Sequence, residues 1–225
     1  MRKIFTMGIS CIVGLNMAIS SLPVLAADEN GREKDNYTVV QNYNVIEEPV
    51  EVTYVDPNKV QNNNSARINA TYVKTVYTVS GTKLITYDAK ELTDEMFLVS
   101  VPEGYSIKLE DSKTVSGSMS IHGAAEATVG EKKAVAGKFS LEGTGTISQT
   151  YSVGQTFSFP NSYIGEYGVA NYYTAIGYDL YNVTIEAYDI YNIETINHPI
   201  TTNERTYTVQ AYIPKVVLYT VGANY

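Results

Sequence analysis

The stretch TVSGSMSIHGAAEATVGEKKAVAGKFSLEGTGTISQTYSV, residues 114–153, decides how the fold is read. Even positions from 116 to 128 are Ser, Ser, Ser, His, Ala, Glu and Thr, while odd positions from 115 to 129 are Val, Gly, Met, Ile, Gly, Ala, Ala and Val. One face is polar and the other apolar or small, the period-two signature of a strand. The same phase returns after 134, where Val135, Gly137, Phe139, Leu141, Gly143, Gly145, Ile147, Gln149, Tyr151 and Val153 occupy the odd positions. The pattern predicts a long amphipathic hairpin with arms at about 114–129 and 134–153, closed by a turn at GEKKA, 130–134.

The register of that hairpin follows from its side chains. Setting Val129 opposite Val135 places Phe139 opposite Ala125, Leu141 opposite Gly123, Ile121 opposite Gly143, Met119 opposite Gly145 and Ile147 opposite Gly117. Each large residue then meets a small one. The polar face gains the charge pairs Glu126 with Lys138 and His122 with Glu142, and Ser and Thr meet Ser and Thr at 116 with 148, 118 with 146 and 120 with 144. Each such pair contributes only about 0.2–1 kcal/mol, so it is agreement on both faces that selects the register.

Outside this stretch, period-two segments rich in Val, Ile, Thr and Tyr recur at 44–55, 67–79, 83–87, 96–101, 105–109, 172–191 and 206–221. Turn residues separate them, as in DPN, SGT, PEG and NHP. Only DAKELTDEM, 88–96, suggests a helix, with Asp88 as cap and Glu91 three residues on. The expected fold is all-β: an elongated antiparallel β-sandwich with one long hairpin, whose odd-numbered face packs on another sheet.

The chain opens with Arg2 and Lys3, a long apolar run, and then Pro23 before Val24-Leu25-Ala26. This is the pattern of a bacterial secretory signal peptide over 1–26, cleaved near Ala26, so a secreted, extracellular protein is expected. A disordered polar segment at 27–36 and a single β-rich domain at 37–225 should follow. Cys11 is the one cysteine and lies within the signal, which excludes disulfides, thiol nucleophiles and zinc-thiolate sites from the remainder. The net charge is −8, and losing Arg2 and Lys3 takes it to −10. Such a chain is a poor ligand for nucleic acid and is not drawn by charge to anionic lipid.

Twenty tyrosines and no tryptophan make Tyr the general aromatic of this chain. In 172–191, Tyr181 and Tyr191 share a face with Val183, Ile185 and Ala187 and are expected in the core, whereas Tyr172, Tyr178 and Tyr188 are the candidates for stacking on a glycan or a lipid headgroup. His122 and His198 are read as structural, Asp56, Asn58 and Asn62–Asn64 as a solvated loop, and no metal site, cofactor or catalytic group is nominated.

In its Ser/Thr-rich alternation, its charged tip at Lys132 and Lys133, and the aromatics Tyr105, Tyr151, Phe157 and Phe159 near its base, 114–153 resembles the insertion hairpin of aerolysin-type β-pore-forming toxins. The resemblance implies that Met119, Ile121, Phe139, Leu141 and Ile147 form a face for lipid. As permanent structure, the same face would pack on a second sheet. In overall style the chain resembles β-rich exported proteins of Gram-positive bacteria. Three functions are thus expected: a non-enzymatic extracellular binding or surface-interaction protein, a membrane-inserting toxin-like protein, and a secreted glycan hydrolase. The corresponding partners are a glycan, cell surface or membrane, and a second copy of the chain.

Overall fold

The computed structural model describes residues 35–61, 70–122, 127–193 and 196–224. The expected signal peptide at 1–26, most of 27–36, and Gly123, Ala125 and Glu126 of the expected hairpin lie outside these residues. In chain order the strands are β1 (Asp35–Gln41), β2 (Val50–Tyr54), β3 (Ala70–Thr86), β4 (Thr93–Pro102), β5 (Ser106–Lys108), β6 (Lys113–Ser118), β7 (Ser120–His122), β8 (Thr146–Tyr151), β9 (Thr156–Ser158), β10 (Val169–Ile193) and β11 (Ile196–Ala223). Helices are α1 (Pro57–Gln61) and α2 (Val129–Lys138), with a 3-10 turn at Asn161–Tyr163.

The all-β expectation holds. Its spine is the antiparallel pair β10 and β11, of 25 and 28 residues, registered from Val169 opposite Ala223 to Ile193 opposite Ile196. At ~3.3 Å per residue such strands are roughly 80 Å long, against a usual five or six residues. The sheet order is β1-β11-β10-β3-β2. Two strands share one edge of β10: β4 pairs with its first part, from Val169 to Ile176, and β3 with its second, from Leu180 to Ile193. The connector 87–92 bridges the gap between them, and Ala89 N–H donates to the Tyr178 carbonyl at 2.7 Å.

DAKELTDEM is therefore not a helix. Asp88 and Asp94 both take left-handed backbone, φ 48° and 53°, which reverses the chain, and from Thr93 onward Leu98 and Val101 enter the core as strand residues. The capping pattern loses to a ladder with β10.

Both faces of the sheet are covered, at different ends. On one face, Ala170, Ile176 and Val216 pack under the small ribbons β5-β9 and β6-β8 together with Val115, Ile147, Tyr151 and Phe157. On the other, Tyr181, Val183, Ile185, Val209, Ala211 and Ile213 pack under α2 through Ala134, Val135 and Phe139. In place of the second sheet of the expected sandwich stand the ribbons on one face and a helix on the other.

The turn predicted at GEKKA is the clearest correction. Residues 129–138 form α2 because Thr128 and Glu131 make a reciprocal capping box: the Thr128 hydroxyl accepts from Glu131 N–H at 3.2 Å, and the Glu131 carboxylate accepts from Thr128 N–H. Small residues in this segment serve close helix-on-sheet packing. A side chain at Gly130 would run into the Tyr77 ring and Tyr54, and one at Gly137 would crowd Val50 at 3.1 Å. Alternation of small residues suits a buried helix as well as a strand, which is why the arms 114–129 and 134–153 do not form as drawn.

Candidate membrane-inserting hairpin

The inferred register survives where the helix does not intervene. β6 pairs with β8 from Lys113 opposite Tyr151 to Ser118 opposite Thr146, including Ser116 with Ser148 and Gly117 with Ile147. Beyond this ladder Met119 N–H donates to the Gly145 carbonyl at 2.7 Å. Toward the base the same register continues: Leu109 N–H donates to the Gln155 carbonyl at 2.9 Å, β5 pairs with β9 from Lys108 opposite Thr156 to Ser106 opposite Ser158, and Phe159 N–H donates to the Tyr105 carbonyl at 3.1 Å. Residues 105–119 and 145–159 are the two arms of one hairpin in a single register. It sits nearer the base than the sequence alone suggests.

This hairpin is two-faced throughout. Outward lie hydroxyl pairs, Ser106 with Ser158 at 2.8 Å and Thr114 with Thr150 at 2.9 Å. Inward lie Ile107, Leu109, Val115, Gly117, Ile147, Tyr151 and Phe157, seated on the long sheet. A Cβ on Gly117 would stand 2.5 Å from Ile176, so glycine here lets the ribbon lie flat on β10. No strand of the ribbon shares a ladder with the large sheet. Its attachments are apolar contact plus a few polar links, among them Tyr172 hydroxyl to the Ser158 carbonyl at 2.6 Å, Tyr151 with Thr174 at 3.0 Å, and the Lys113 ammonium to the carbonyls of Phe97 and Leu98. Its ends are held together, because Pro102 faces Val169 across the β4-β10 ladder.

Burying side chains such as Val, Ile, Leu or Phe stabilises by about 1.5–3 kcal/mol each, so freeing this face into water costs on the order of 10 kcal/mol. The ribbon leaves the sheet only for another apolar phase.

Beyond Met119 the chain reaches the edge of β11 as β7, with Ile121 opposite Ala211 and His122 opposite Gln210, and then delivers α2 to the other face. Side-chain hydrogen bonds help to hold that helix. Tyr207 donates to the Glu131 carboxylate and Thr128 donates to the Tyr77 hydroxyl at 3.2 Å. The Lys138 ammonium, almost fully buried, donates to the carbonyls of Glu47 and Glu48 at 3.1 and 2.9 Å. Phe139 is fully buried, with Tyr181 and Tyr43 at 4.8 and 5.6 Å between ring centroids.

Of the predicted charge pairs at the tip, only His122 with Glu142 lies wholly within the described residues, and it does not form. Glu126 lies outside the described residues, and its expected partner Lys138 is taken up by backbone carbonyls. His122 sets its ring edge against Tyr212, while Glu142 joins the tight turn to Thr146; among the described residues no ion pair links the two. Of the predicted apolar face, Phe139 and Ile147 are buried, and Met119, Ile121 and Leu141 are half-buried against the helix-side core. Tyr172 packs on Phe157, Tyr178 lies against the ribbon-side core, and Tyr188 is half-buried on β10. Among the described residues no group of His, Cys, Asp and Glu is placed to hold a metal ion. A cavity of about 130 Å³ beside Gln41, Ser140, Glu142 and Ser148 is well below the ~300 Å³ at which ligand pockets begin.

Sequence reasoning missed two buried charge clusters. Lys215 on β11 sits between Asp179 and Asp88, with its ammonium 2.7 and 2.8 Å from their carboxylates. Asp179 also accepts from the Tyr43 hydroxyl at 2.6 Å and from Asp88 N–H at 3.0 Å. Burial pushes the Lys215 amine down, but the two carboxylates outweigh it and hold it above its ordinary value. Burial and the bond to Asp179 push the Tyr43 phenol far up. Near the far end, Asp189 accepts from Lys59 at 2.8 Å, Thr75 at 2.6 Å and Asn203 at 3.0 Å. Burial raises its carboxyl, and these bonds win, leaving it below the usual carboxylate range. The available signal was a lone charge inside an apolar alternation, Asp179 in AIGYDLY and Lys215 in YIPKVVLY.

No protein-family model, curated protein or solved structure matches this chain.

Proposed function

We propose that the protein is secreted and acts on membranes, inserting the hairpin 105–159 as a β-structure that spans the bilayer. One observation carries this reading: a ribbon with a hydroxyl face and an apolar face, in a single register, laid on the sheet without a shared ladder. Detached from the sheet, its alternation is that of a transmembrane strand pair, apolar toward lipid and polar toward a lumen. The same register, continued through the tip, sets Ile121 opposite Gly143, Leu141 opposite Gly123 and Phe139 opposite Ala125. Unwinding α2 therefore lengthens the hairpin without a slip, to arms of roughly 80 Å against a hydrocarbon core of ~30 Å. The resemblance to aerolysin-type insertion hairpins supports this reading, with assembly of several copies closing the barrel edge.

A single tyrosine surface built on Tyr172, Tyr178 and Tyr188 together draws less support, since Tyr172 is covered by the ribbon through Phe157 and the Ser158 carbonyl and Tyr188 lies ten residues beyond Tyr178 along β10, beside β3. The test is dye release from liposomes by residues 27–225, with recovery of detergent-resistant oligomers from the same membranes. Release together with oligomers is expected. An intact protein that neither releases dye nor associates with the vesicles refutes the reading.

A further inference from the structure

Beyond the ribbon's tip, the ribbon-side face of the sheet carries two tyrosines on neighbouring strands, Tyr178 on β10 and Tyr212 on β11. The connector 87–92 lays the exposed Lys90 across them. Its ammonium stands 3.8 Å from the Tyr212 ring centroid and 5.2 Å from that of Tyr178. Among the described residues this amine has no carboxylate and no hydrogen bond; the two rings are its partners. Each ring stands on a strand held in its ladder, and the His122 ring abuts Tyr212 edge-on at 5.3 Å. Directly opposite Tyr212 is Ser120, whose hydroxyl oxygen is shielded from solvent and lacks a hydrogen-bond partner.

We infer that Tyr178 and Tyr212 form a site for the phosphocholine headgroup of a lipid, which Lys90 occupies in the free protein. The inference rests on the membrane reading and names the lipid it would meet. The geometry already accepts a cation over both rings, and a trimethylammonium is the better occupant because it is weakly hydrated and gives up little water to sit there. A primary ammonium gives up more. On exchange, the flexible Lys90 swings off the rings and its charge meets the phosphate. A bare anionic headgroup gains nothing from the rings, in keeping with a chain whose net charge repels anionic membranes.

The test titrates residues 27–225 with phosphocholine, choline and inorganic phosphate by calorimetry and tyrosine fluorescence, which no tryptophan masks. Saturable binding of phosphocholine, weaker binding of choline and none of phosphate are expected. Tyr212→Leu and, independently, Tyr178→Leu should weaken phosphocholine at least about tenfold, while Tyr212→Phe, which keeps the π face, should bind as the parent does. Lys90→Ala removes the competing ammonium, so choline should bind more tightly and the preference for phosphocholine over choline should vanish. Vesicles of phosphatidylcholine should retain the protein and those of phosphatidylglycerol should not. Absence of saturation, unchanged binding in both leucine variants of thermally normal stability, equal binding of inorganic phosphate, or equal retention on both vesicles overturns the site. Binding of soluble phosphocholine needs no insertion, so dye release and this titration fail independently.

Discussion

Replacing Lys215 with Met removes the one cation between two carboxylates and leaves the packing volume nearly unchanged. Asp179 is then stranded: its side chain is 2% exposed, and it keeps the Tyr43 hydroxyl and Asp88 N–H but no counter-charge. Two unit charges ~4 Å apart at an effective dielectric constant of ~20 interact by about 4 kcal/mol, and breaking a buried pair from one side typically costs about 3–5 kcal/mol. Asp88 adds little, because it is 29% exposed and water takes up its charge. The Lys215→Met variant should therefore lose about 3–5 kcal/mol, which in a domain of this size lowers Tm by roughly 6–20 °C. Adding Asp179→Asn keeps an acceptor for Tyr43 while deleting the orphaned charge, so the double variant should regain about half of the loss. Urea unfolding followed by circular dichroism measures both, with the m-value as the check that the denatured state is unchanged. A loss below about 1 kcal/mol, or a double variant less stable than the single one, refutes the reasoning.

Three further outcomes follow from the same contacts. Phe139→Ala should cost about 3–5 kcal/mol by chemical denaturation, because the ring is fully buried between Tyr43 and Tyr181 at the foot of α2. Asp189, whose carboxyl is held below its ordinary value, contributes stability that is complete above the unfolded pKa of about 4 and is lost as pH falls through the folded one; Asp189→Asn should flatten the acid limb of a Tm-against-pH curve. At alkaline pH the sign reverses. Tyr37, Tyr43 and Tyr207 are raised by burial and by neighbouring carboxylates, so their stabilisation is full below about pH 10 and is lost above it. Absorbance at the phenolate band should show these three ionising only as the protein unfolds.

The register of 114–119 against 145–150 was legible because two independent facts agree on it: Gly117 opposes Ile147, and Ser and Thr oppose Ser and Thr; its continuation to 105 and 159 was not read from the sequence. The tip was not legible. Between 123 and 138 nearly every apolar residue is small, and small residues satisfy a strand of period two and a helix packed tightly on a sheet equally well. The arbiter was present as Thr128 with Glu131, a capping box that the alternation overshadowed. At 88–96 the same kind of signal misled in the opposite sense, since Asp88 and Glu91 resemble a cap while the chain there turns through left-handed backbone to join β10. Capping patterns decide only where the apolar residues that follow have a surface to cover. Ala134, Val135 and Phe139 have one; after Asp88 the segment supplies mainly charged and polar residues, Lys90, Glu91 and Thr93, with Leu92 alone packed on the sheet. The buried clusters around Lys215 and Asp189 depend on side chains from four separate strands and loops, which no local pattern brings together.

Insertion as proposed requires the ribbon to leave the sheet. Gly117→Cys with Ile176→Cys tests it in residues 27–225, which carry no other cysteine. A Cβ on Gly117 lies 2.5–3.0 Å from the γ carbons of Ile176, so the two new Cβ atoms fall near the ~3.5–4.5 Å that a disulfide spans. Thr114→Cys with Thr150→Cys, paired within the ribbon, is the control that cross-links without tethering. Oxidised G117C/I176C should release no dye from liposomes and reduced protein should release it, while the control releases in both states. Equal release by the tethered and reduced forms would contradict the account.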